Sequence, residues 1–355
     1  MKMTAANWSF LMTKVFVIDD SAAVLKGFRN ILTGMDDIEL IGEAENPVDA
    51  FAIFKEVGLP DLFILDIEMP KMDGLTFLKQ INAQRPTPVI ICSSLVGAGS
   101  NILIDAMRLG AAEIIDKPKN NLNKFFLDYK EDLIAKIRAV AKANINYREN
   151  VSSDYEKVDK VEHAHPSCAK IIAIGSSTGG IQVLEEIVTH LNPVHLGIVV
   201  VQHIPKGFSK SLAKRLNELS RHSIVKEAED GDIITCNTIY IAPGGTHLEA
   251  EKQGLKYALR LKDFPKVNSH RPSVNVLFNS ISQTFKANAI GFVLTGMGDD
   301  GATGLKKMRE VGAQTYVQNE KTSTVYGMPK VAYEIGGAQK ALSVYEIIKV
   351  INESG

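Results

Sequence analysis

Short apolar runs alternate with amphipathic stretches along almost the whole chain, and this alternation limits the folds that the sequence can adopt. The stretches between the runs, such as 22–35 and 47–58, carry apolar residues at a spacing of three to four, which is typical of helices. Repeated βα units of this kind predict a doubly wound parallel sheet. The first part of the chain has five strand-like runs: KVFVI (14–18), IELIGEA (38–44), DLFILD (61–66), PVIIC (88–92) and AEIID (112–116).

A second α/β alternation begins at Lys170 and continues to the C-terminus. The stretch before it, 144–169, has mixed charge, few large apolar side chains and no sustained period, as expected of a linker. A chain of 355 residues is also longer than one hydrophobic core usually spans. We therefore expect an N-terminal extension at 1–13, α/β domains at 14–143 and 170–355, and a linker between them.

The composition is that of an ordinary globular protein, with 45% hydrophobic and 23% charged residues. The formal net charge of −1 argues against a nucleic-acid or membrane-surface role for the whole chain. No apolar run approaches the roughly 20 residues of a membrane span, and residues 1–12 lack a signal-peptide core. Cys92, Cys168 and Cys236 are far apart and odd in number, so we expect neither a disulfide framework nor a metal site. A reducing cytoplasm fits this pattern.

Acidic side chains end two of the predicted strands in the first domain. Asp19 and Asp20 follow the run 14–18, and Asp66 ends the run 61–66. Because the carboxyl ends of parallel strands meet at one edge of a sheet, three carboxylates would crowd one crevice, which is costly without a cation among them. Mg²⁺ suits such oxygen ligands and binds phosphate oxygens readily.

Ser93 and Lys117 follow the fourth and fifth predicted strands and fall on the same edge. A hydroxyl and an ammonium group at this place can hold a phosphoryl group. A single aspartate here could simply cap the helix at 22–35. The placement of all these polar side chains at strand ends favours a metal and phosphate site instead.

The motifs VIDDSA, LDIEMPKMDG, CSS and DKP resemble those of a phospho-acceptor receiver domain of two-component signalling. The resemblance implies a flavodoxin-like domain that is phosphorylated on Asp66. One position departs from the pattern, because Ile114 stands where many receivers have an aromatic switch residue. The resemblance implies further site residues on the same edge: Asp19, Asp20, Asp66 and the Glu68 backbone carbonyl for Mg²⁺, and Ser93 and Lys117 for the phosphoryl group.

A hydroxyl, an imidazole and carboxylates end three apolar runs in the second domain. They are Ser177 in IIAIGSSTGG, His203 in VVVQHIP, and Asp299 and Asp300 in FVLTGMGDDGA. Glycines allow the tight turn that presents a nucleophile at the end of a strand. These are the groups of an acyl-transfer site, in which the serine attacks, the histidine moves its proton and a carboxylate orients the imidazole. Backbone N–H groups at 296–298 are candidates to stabilise the oxyanion.

Other interpretations of the second domain stay open at this point. The order serine, histidine, acid excludes the α/β-hydrolase fold, in which the acid precedes the histidine. GSSTGG could hold a nucleotide phosphate, although it lacks the G-x-G-x-x-G spacing, and TGMGDDG could be a metal or phosphate loop. A response regulator with a non-catalytic output domain that binds protein or nucleic acid is the alternative function, but no basic recognition helix is evident.

The motifs GSSTGG, QHIPKGF, KEAEDGD, YIAPGGTH, HRPSVNVLF and TGMGDDGATG, in this order, resemble the catalytic domain of the chemotaxis protein-glutamate methylesterases. With the receiver in front, the resemblance covers nearly the whole chain. It implies a Rossmann-like domain with Asp299 as a bystander and with His270 to Pro272 shaping the cleft. The implied site residues are the triad Ser177, His203 and Asp300, and Thr178 and the Met297 amide at the oxyanion site.

The resemblance also implies an activity and partners. Such enzymes hydrolyse γ-glutamyl methyl esters on methyl-accepting chemoreceptors, release methanol and in many cases deamidate receptor glutamines. A chemotaxis histidine kinase phosphorylates the receiver, which inhibits the catalytic domain until then. No cofactor is expected for the ester chemistry, no nucleic acid as a partner and no insertion into a membrane.

Overall fold

The computed structural model describes residues 12–94, 100–118, 120–144, 168–193 and 195–354. The predicted extension at 1–13 and the predicted linker at 144–169 lie almost entirely outside these residues. Contacts between residues divide the chain into two compact units, the first comprising Met1–Ser94 with Leu109–Ala143 and the second Leu95–Arg108 with Asn144–Gly355. No helix in the described ranges is long and apolar enough to cross a lipid bilayer.

The first unit contains a parallel sheet of five strands within the described residues, in the order β2-β1-β3-β4-β5. Each strand overlaps one predicted run, so the predicted doubly wound sheet is confirmed. The chain passes from β1 to β2 on one side and returns past β1 to β3, which places the topological switch point between β1 and β3. The strands are β1 (Thr13–Ile18), β2 (Ile38–Ala44), β3 (Leu62–Leu65), β4 (Val89–Ser93) and β5 (Glu113–Asp116).

The central strand β3 is buried on both faces of this sheet, as its uninterrupted apolar sequence requires. On one face, Phe63 packs against the rings of Phe54 and Phe77. On the other, Leu62 and Ile64 belong to the core formed with the helices. The helices in this part of the chain are α1 (Ala22–Leu32), α2 (Pro47–Val57), α3 (Gly74–Gln84), α4 (Ser100–Arg108), α5 (Leu122–Asp128) and α6 (Lys130–Ala141).

The second unit contains a parallel sheet of seven strands in its described part, in the order β14-β13-β12-β6-β7-β9-β8. The first strand of the unit, β6, lies in the middle, and the chain fills one side of it before crossing to β12. The switch point therefore lies between β6 and β12. The strands are β6 (Ile171–Ser176), β7 (Gly197–Gln202), β8 (Ile224–Glu227), β9 (Thr238–Ile241), β12 (Ala289–Val293), β13 (Gln314–Gln318) and β14 (Lys340–Leu342).

An antiparallel ribbon, β10 (His247–Gln253) and β11 (Lys256–Lys262), stands apart from this parallel sheet and was not predicted. It packs on α9 (Val274–Thr284), where the Ala250 N–H donates to Ser280 Oγ at 3.0 Å. Leu248 and Leu259 of the ribbon share a core with Leu277 of the helix. The other helices of the unit are α7 (Gly180–His190), α8 (Ser209–Leu219), α10 (Ala302–Glu310), α11 (Met328–Glu334) and α12 (Val344–Glu353).

Cys168 and Cys236 form a disulfide in the second unit, with their Cα atoms 5.3 Å apart. The expectation of no disulfide was therefore wrong. The two residues are 68 positions apart in sequence and meet because their backbones run together, with the Cys168 N–H donating to the Ile234 carbonyl at 3.4 Å. Cys92 is a free, buried thiol, and burial raises its pKa.

A matched pair of leucine substitutions tests the packing of the ribbon against α9. Leu277 is 0% exposed, whereas Leu255 at the tip of the ribbon is 98% exposed. Leu277→Ala should lower the free energy of unfolding by about 2–5 kcal/mol through lost burial and a residual cavity, and Leu255→Ala by less than about 0.5 kcal/mol. Chemical denaturation of the full chain measures both. Equal small changes would contradict the described core.

Candidate active site

Ser177 and His203 follow two adjacent strands of the second sheet. In β6 and β7, Ser176 lies opposite Gln202, and Ser177 and His203 are the residues that directly follow this pair. The His203 N–H donates to the Ser176 carbonyl at 2.9 Å. Ser177 is 7% exposed, and the His203 side chain is 6% exposed. The two groups thus stand together at the carboxyl edge of the sheet.

Glycines shape the turn that carries Ser177. Gly179 has φ of +75°, a conformation that favours glycine, and directly precedes α7. A Cβ on Gly296 would collide with the Ser177 side chain, so the loop after β12 lies directly against the serine. The Ser177 N–H donates to the Thr295 carbonyl at 3.0 Å, which joins the two loops.

Ser176 differs from its neighbour in its contacts. It is fully buried, and its hydroxyl donates to Gln202 Oε1 at 2.7 Å. The Gln202 amide nitrogen in turn donates to the carbonyls of Ser177 at 2.9 Å and His203 at 3.1 Å. Ser176 and Gln202 therefore hold the backbone of both turns, a role that the sequence analysis missed.

The buried carboxylate of Asp300 lies between His203 and the N-terminus of α9. Ser273 is the N-cap of that helix. Burial alone would raise the pKa of Asp300, but the hydrogen bond and charge of His203 and the other donors hold it below its usual range. In the described part of the chain the carboxylate accepts five hydrogen bonds: on Oδ1 from Ser273 Oγ (2.8 Å), the Asn275 N–H (3.0 Å) and the Gly301 N–H (3.0 Å), and on Oδ2 from the Val274 N–H (2.7 Å) and His203 Nε2 (2.8 Å).

The contact with Asp300 fixes the chemistry of the His203 ring. The Asp300 carboxylate accepts from Nε2, so Nε2 carries the hydrogen, and Nδ1 holds the free lone pair when the ring is neutral. His203 Nδ1 is buried and has no hydrogen-bond partner among the described residues. The ring of His270 stacks on that of His203 with centroids 3.6 Å apart and planes 5° apart. Asp300 and His270 therefore fix the ring at the end of β7, next to the turn that carries Ser177.

The remaining predicted residues of this site lie around the same turns. Thr178 is 4% exposed, and its carbonyl accepts a hydrogen bond from Thr295 Oγ1 at 2.9 Å. Met297 follows Gly296 and is half-buried. Asp299 is exposed and accepts a hydrogen bond from Asn268 Nδ2 at 3.1 Å, so it does not share the setting of Asp300.

The switch point of the first sheet holds a buried ionic cluster. Lys117 Nζ lies 2.8 Å from Asp19 Oδ2 and 2.7 Å from Asp66 Oδ2. Burial alone would lower the pKa of Lys117, but the two carboxylates raise it above its ordinary value. Burial raises the pKa of Asp19 to about 6, against the opposing effect of Lys117. One lysine thus compensates the two buried carboxylates incompletely.

The other predicted residues of this edge are placed at different depths. Asp20 and Glu68 are exposed, whereas Ser93 is 2% exposed and Ile114 is 7% exposed. Ligand atoms of Asp19, Asp20 and Asp66 all lie within 4.8 Å of one another, close enough to share one cation. Asp66 Oδ1 also accepts the Ile67 N–H at 2.7 Å.

Comparisons with known proteins agree with this arrangement. The family profile described as CheB methylesterase matches residues 172–351, and that of the response regulator receiver domain matches 15–125. A protein of Albidiferax ferrireducens named protein-glutamate methylesterase/protein-glutamine glutaminase 2 is 43% identical over 94% of this chain and 98% of its own length. A Leptospira interrogans protein named protein-glutamate methylesterase/protein-glutamine glutaminase 3 is 43% identical over 95% and 98%.

Among solved structures, the second unit is similar to the CheB methylesterase catalytic domain of Thermotoga maritima. The identity is 40% and the TM-score 0.51, over 52% of this chain and 97% of that one. The predicted family resemblance is thereby confirmed along nearly the whole sequence. The chain belongs to the CheB methylesterase family, with a response regulator receiver domain preceding its methylesterase domain.

Proposed function

We propose that the chain hydrolyses γ-glutamyl methyl esters on methyl-accepting chemoreceptors, with Ser177, His203 and Asp300 as its catalytic triad. The observation that carries this proposal is His203, whose Nε2 binds the Asp300 carboxylate at 2.8 Å while its buried Nδ1 lacks a partner within the described residues. This nitrogen belongs to the residue that follows Gln202, and Ser177 follows Ser176, which lies opposite Gln202 in the register of β6 and β7. A general base beside a hydroxyl is the arrangement that acyl transfer requires.

The proposed reaction has two steps, the formation of an acyl-enzyme and its hydrolysis. His203 Nδ1 takes the proton of the Ser177 hydroxyl, Oγ bonds to the ester carbonyl carbon, and the C–O bond to the methoxy group breaks as His203 returns the proton to give methanol. Water, deprotonated in its turn by His203, then attacks the acyl carbon. The bond from this carbon to Ser177 Oγ breaks as His203 returns the proton to the serine, and a glutamate side chain is left. A glutamine substrate follows the same steps and releases ammonia, which gives the glutaminase activity.

The oxyanion of each tetrahedral intermediate needs hydrogen-bond donors. We assign this role to the Met297 N–H and to Thr178. The Met297 N–H supports the assignment because it donates to no acceptor among the described residues. Met297 follows Gly296, whose backbone lies against Ser177, and Thr178 directly follows the serine.

In the receiver domain we propose that Asp66 accepts a phosphoryl group from a chemotaxis histidine kinase. An Asp66 carboxylate oxygen bonds to phosphorus as the bond to the donor breaks. The carboxylates of Asp19 and Asp20 fit Mg²⁺ because their ligand atoms lie within 4.8 Å of those of Asp66. When bound, Mg²⁺ neutralises the charge of the phosphoryl oxygens.

The remaining assignments of the receiver site complete this proposal. The Glu68 backbone carbonyl is the further metal ligand, and Ser93 and Lys117 contact the phosphoryl group. Lys117 would exchange part of its present contact with Asp66 for a phosphate oxygen. The cytoplasm is the proposed location.

A pair of adjacent serines tests the nucleophile. Ser177→Ala should lower the rate of methanol release from methylated chemoreceptor membranes by at least about 10³-fold, because the group that forms the acyl-enzyme is lost. Ser176→Ala removes only a buried hydrogen bond to Gln202 and should lower the rate by less than about tenfold. Both variants should still be phosphorylated on Asp66. Comparable losses in the two would contradict the assignment.

Three aspartates test the phosphorylation site through labelling with radioactive acetyl phosphate and Mg²⁺. Asp66→Asn should abolish the label, since an amide oxygen is a poor nucleophile for phosphorus. Asp20→Asn should weaken labelling through the loss of a metal ligand. Asp36→Asn, at an exposed position outside the cluster, should label like the wild type. Full labelling of Asp66→Asn would place the acceptor elsewhere.

Removal of the receiver tests its regulatory role. If the unphosphorylated receiver restricts access to Ser177, a chain that begins near Lys170 should release methanol several-fold faster than the unphosphorylated full chain and should not respond to acetyl phosphate. The methylesterase domain of the Thermotoga protein was solved as a separate unit, so a stable truncated chain is expected. A truncated chain slower than the full one would show that the receiver helps the catalytic domain instead.

A further inference from the structure

A second buried histidine, His247, contacts Ser273, which in turn binds Asp300. It begins β10 and is 0% exposed. Its Nε2 lies 3.1 Å from the Pro265 carbonyl oxygen, and its Nδ1 lies 3.2 Å from the Ser273 backbone nitrogen. Because a carbonyl only accepts and a backbone N–H only donates, Nε2 carries the hydrogen and Nδ1 accepts. This geometry requires a neutral ring.

Ser273 connects that ring to Asp300. Its backbone N–H donates to His247 Nδ1, and its hydroxyl donates to Asp300 Oδ1 at 2.8 Å. It is also the N-cap of α9, and the two N–H groups that follow it, those of Val274 and Asn275, bind the same carboxylate. The orientation of Ser273 therefore affects three of the hydrogen bonds that hold Asp300.

We propose that His247 is a positioning residue of the esterase, whose neutral imidazole fixes Ser273 and through it the Asp300 carboxylate that orients His203. The inference rests on the proposed triad and adds a residue to it that does not touch the reacting atoms. Protonation of His247 Nδ1 would set two N–H donors against each other at Ser273 and release the N-terminal turn of α9. The turnover rate would then fall, while the shape of the substrate cleft would stay the same.

The surroundings of His247 keep the ring neutral near pH 7. The ring of Phe264 stacks on it with centroids 4.2 Å apart. Burial is the largest effect and lowers the pKa of His247; the positive charge of Arg271 acts in the same direction, while Asp300 and Glu249 oppose it. The net pKa lies below the ordinary value of 6.5.

The lowered pKa of His247 determines how the stability of the fold changes with pH. The unfolded chain binds a proton at His247 near pH 6.5, whereas the folded chain binds it only at lower pH. Between these values the unfolded state holds more protons, so the free energy of unfolding falls as the pH falls below about 6.5. A residue at this position that does not titrate would remove this contribution.

Two amide substitutions each preserve one of the two hydrogen bonds of the His247 ring. His247→Asn places an amide oxygen near the position of Nδ1 and can still accept the Ser273 N–H. His247→Gln places its amide near the position of Nε2, so it can donate to Pro265 but does not serve Ser273. In the full chain, the Asn variant should keep kcat within about threefold, and the Gln variant should lose at least about tenfold in kcat with KM nearly unchanged.

The assay is the release of labelled methanol from methylated chemoreceptor membranes, with Ser177→Ala as a control for the reaction itself. If the wild type released no methanol, or Ser177→Ala were as active as the wild type, the proposed function would fail and this inference with it. An active wild type with equal kcat in the Asn and Gln variants would overturn the inference alone.

A second test, by urea unfolding, needs only the wild type and His247→Asn. Urea denaturation of the wild type and His247→Asn between pH 5 and 7.5 should give a steeper loss of stability with falling pH in the wild type. The acid limb of kcat should shift to lower pH in the Asn variant. Equal pH dependence of both quantities in the two proteins would show that His247 does not act as the neutral anchor of Ser273.

Discussion

The methylesterase unit depends on one buried carboxylate that serves two partners at once. Asp300 Oδ2 binds His203 and also accepts the Val274 N–H, while Oδ1 accepts the Asn275 N–H. These are the first N–H groups of α9, where the helix has unsatisfied donors and a partial positive charge. An isolated buried carboxylate would be costly, so it is stable here only when the helix start, the loop after β12 and the end of β7 are all in place. The geometry that orients the imidazole is therefore the geometry that caps a core helix, and the site is organised before substrate binds.

The buried cluster of the receiver differs, because two carboxylates share one lysine there. Asp300 is surrounded by donors, and its pKa is lowered, whereas Asp19 shares a single lysine with Asp66, and burial raises its pKa to about 6. A carboxylate saturated with donors acts as a permanent anion that orients its neighbour. A pair that is only partly compensated keeps oxygen atoms for a cation and a phosphoryl group. The two clusters thus differ in how fully their carboxylates are compensated, although both stand at a switch point of a parallel sheet.

Apolar runs and their order predicted most of the fold because strands of a parallel sheet are buried on both faces and leave a continuous signal. The same logic placed Ser177, His203 and Asp66 at strand ends. Long-range contacts left no such signal. The ribbon β10–β11 has a half-exposed face and lies against α9 rather than in the main sheet, and Cys168 meets Cys236 across 68 residues. The contact of Ser273 with Asp300 joins positions 27 residues apart, so no local pattern of the sequence indicated it.

Asp299 and Asp300 show why residue type alone does not determine which carboxylate meets the imidazole of His203. Both follow the same strand, and either could have faced the imidazole. Gly301, with φ of +91°, follows them as the N-cap of α10, and the two side chains have different surroundings. One is exposed and binds Asn268, while the other is 1% exposed and lies against the start of α9. The choice between them is made by the position of a helix more than 20 residues upstream, because only one of the two carboxylates meets enough N–H donors to remain ionised when buried.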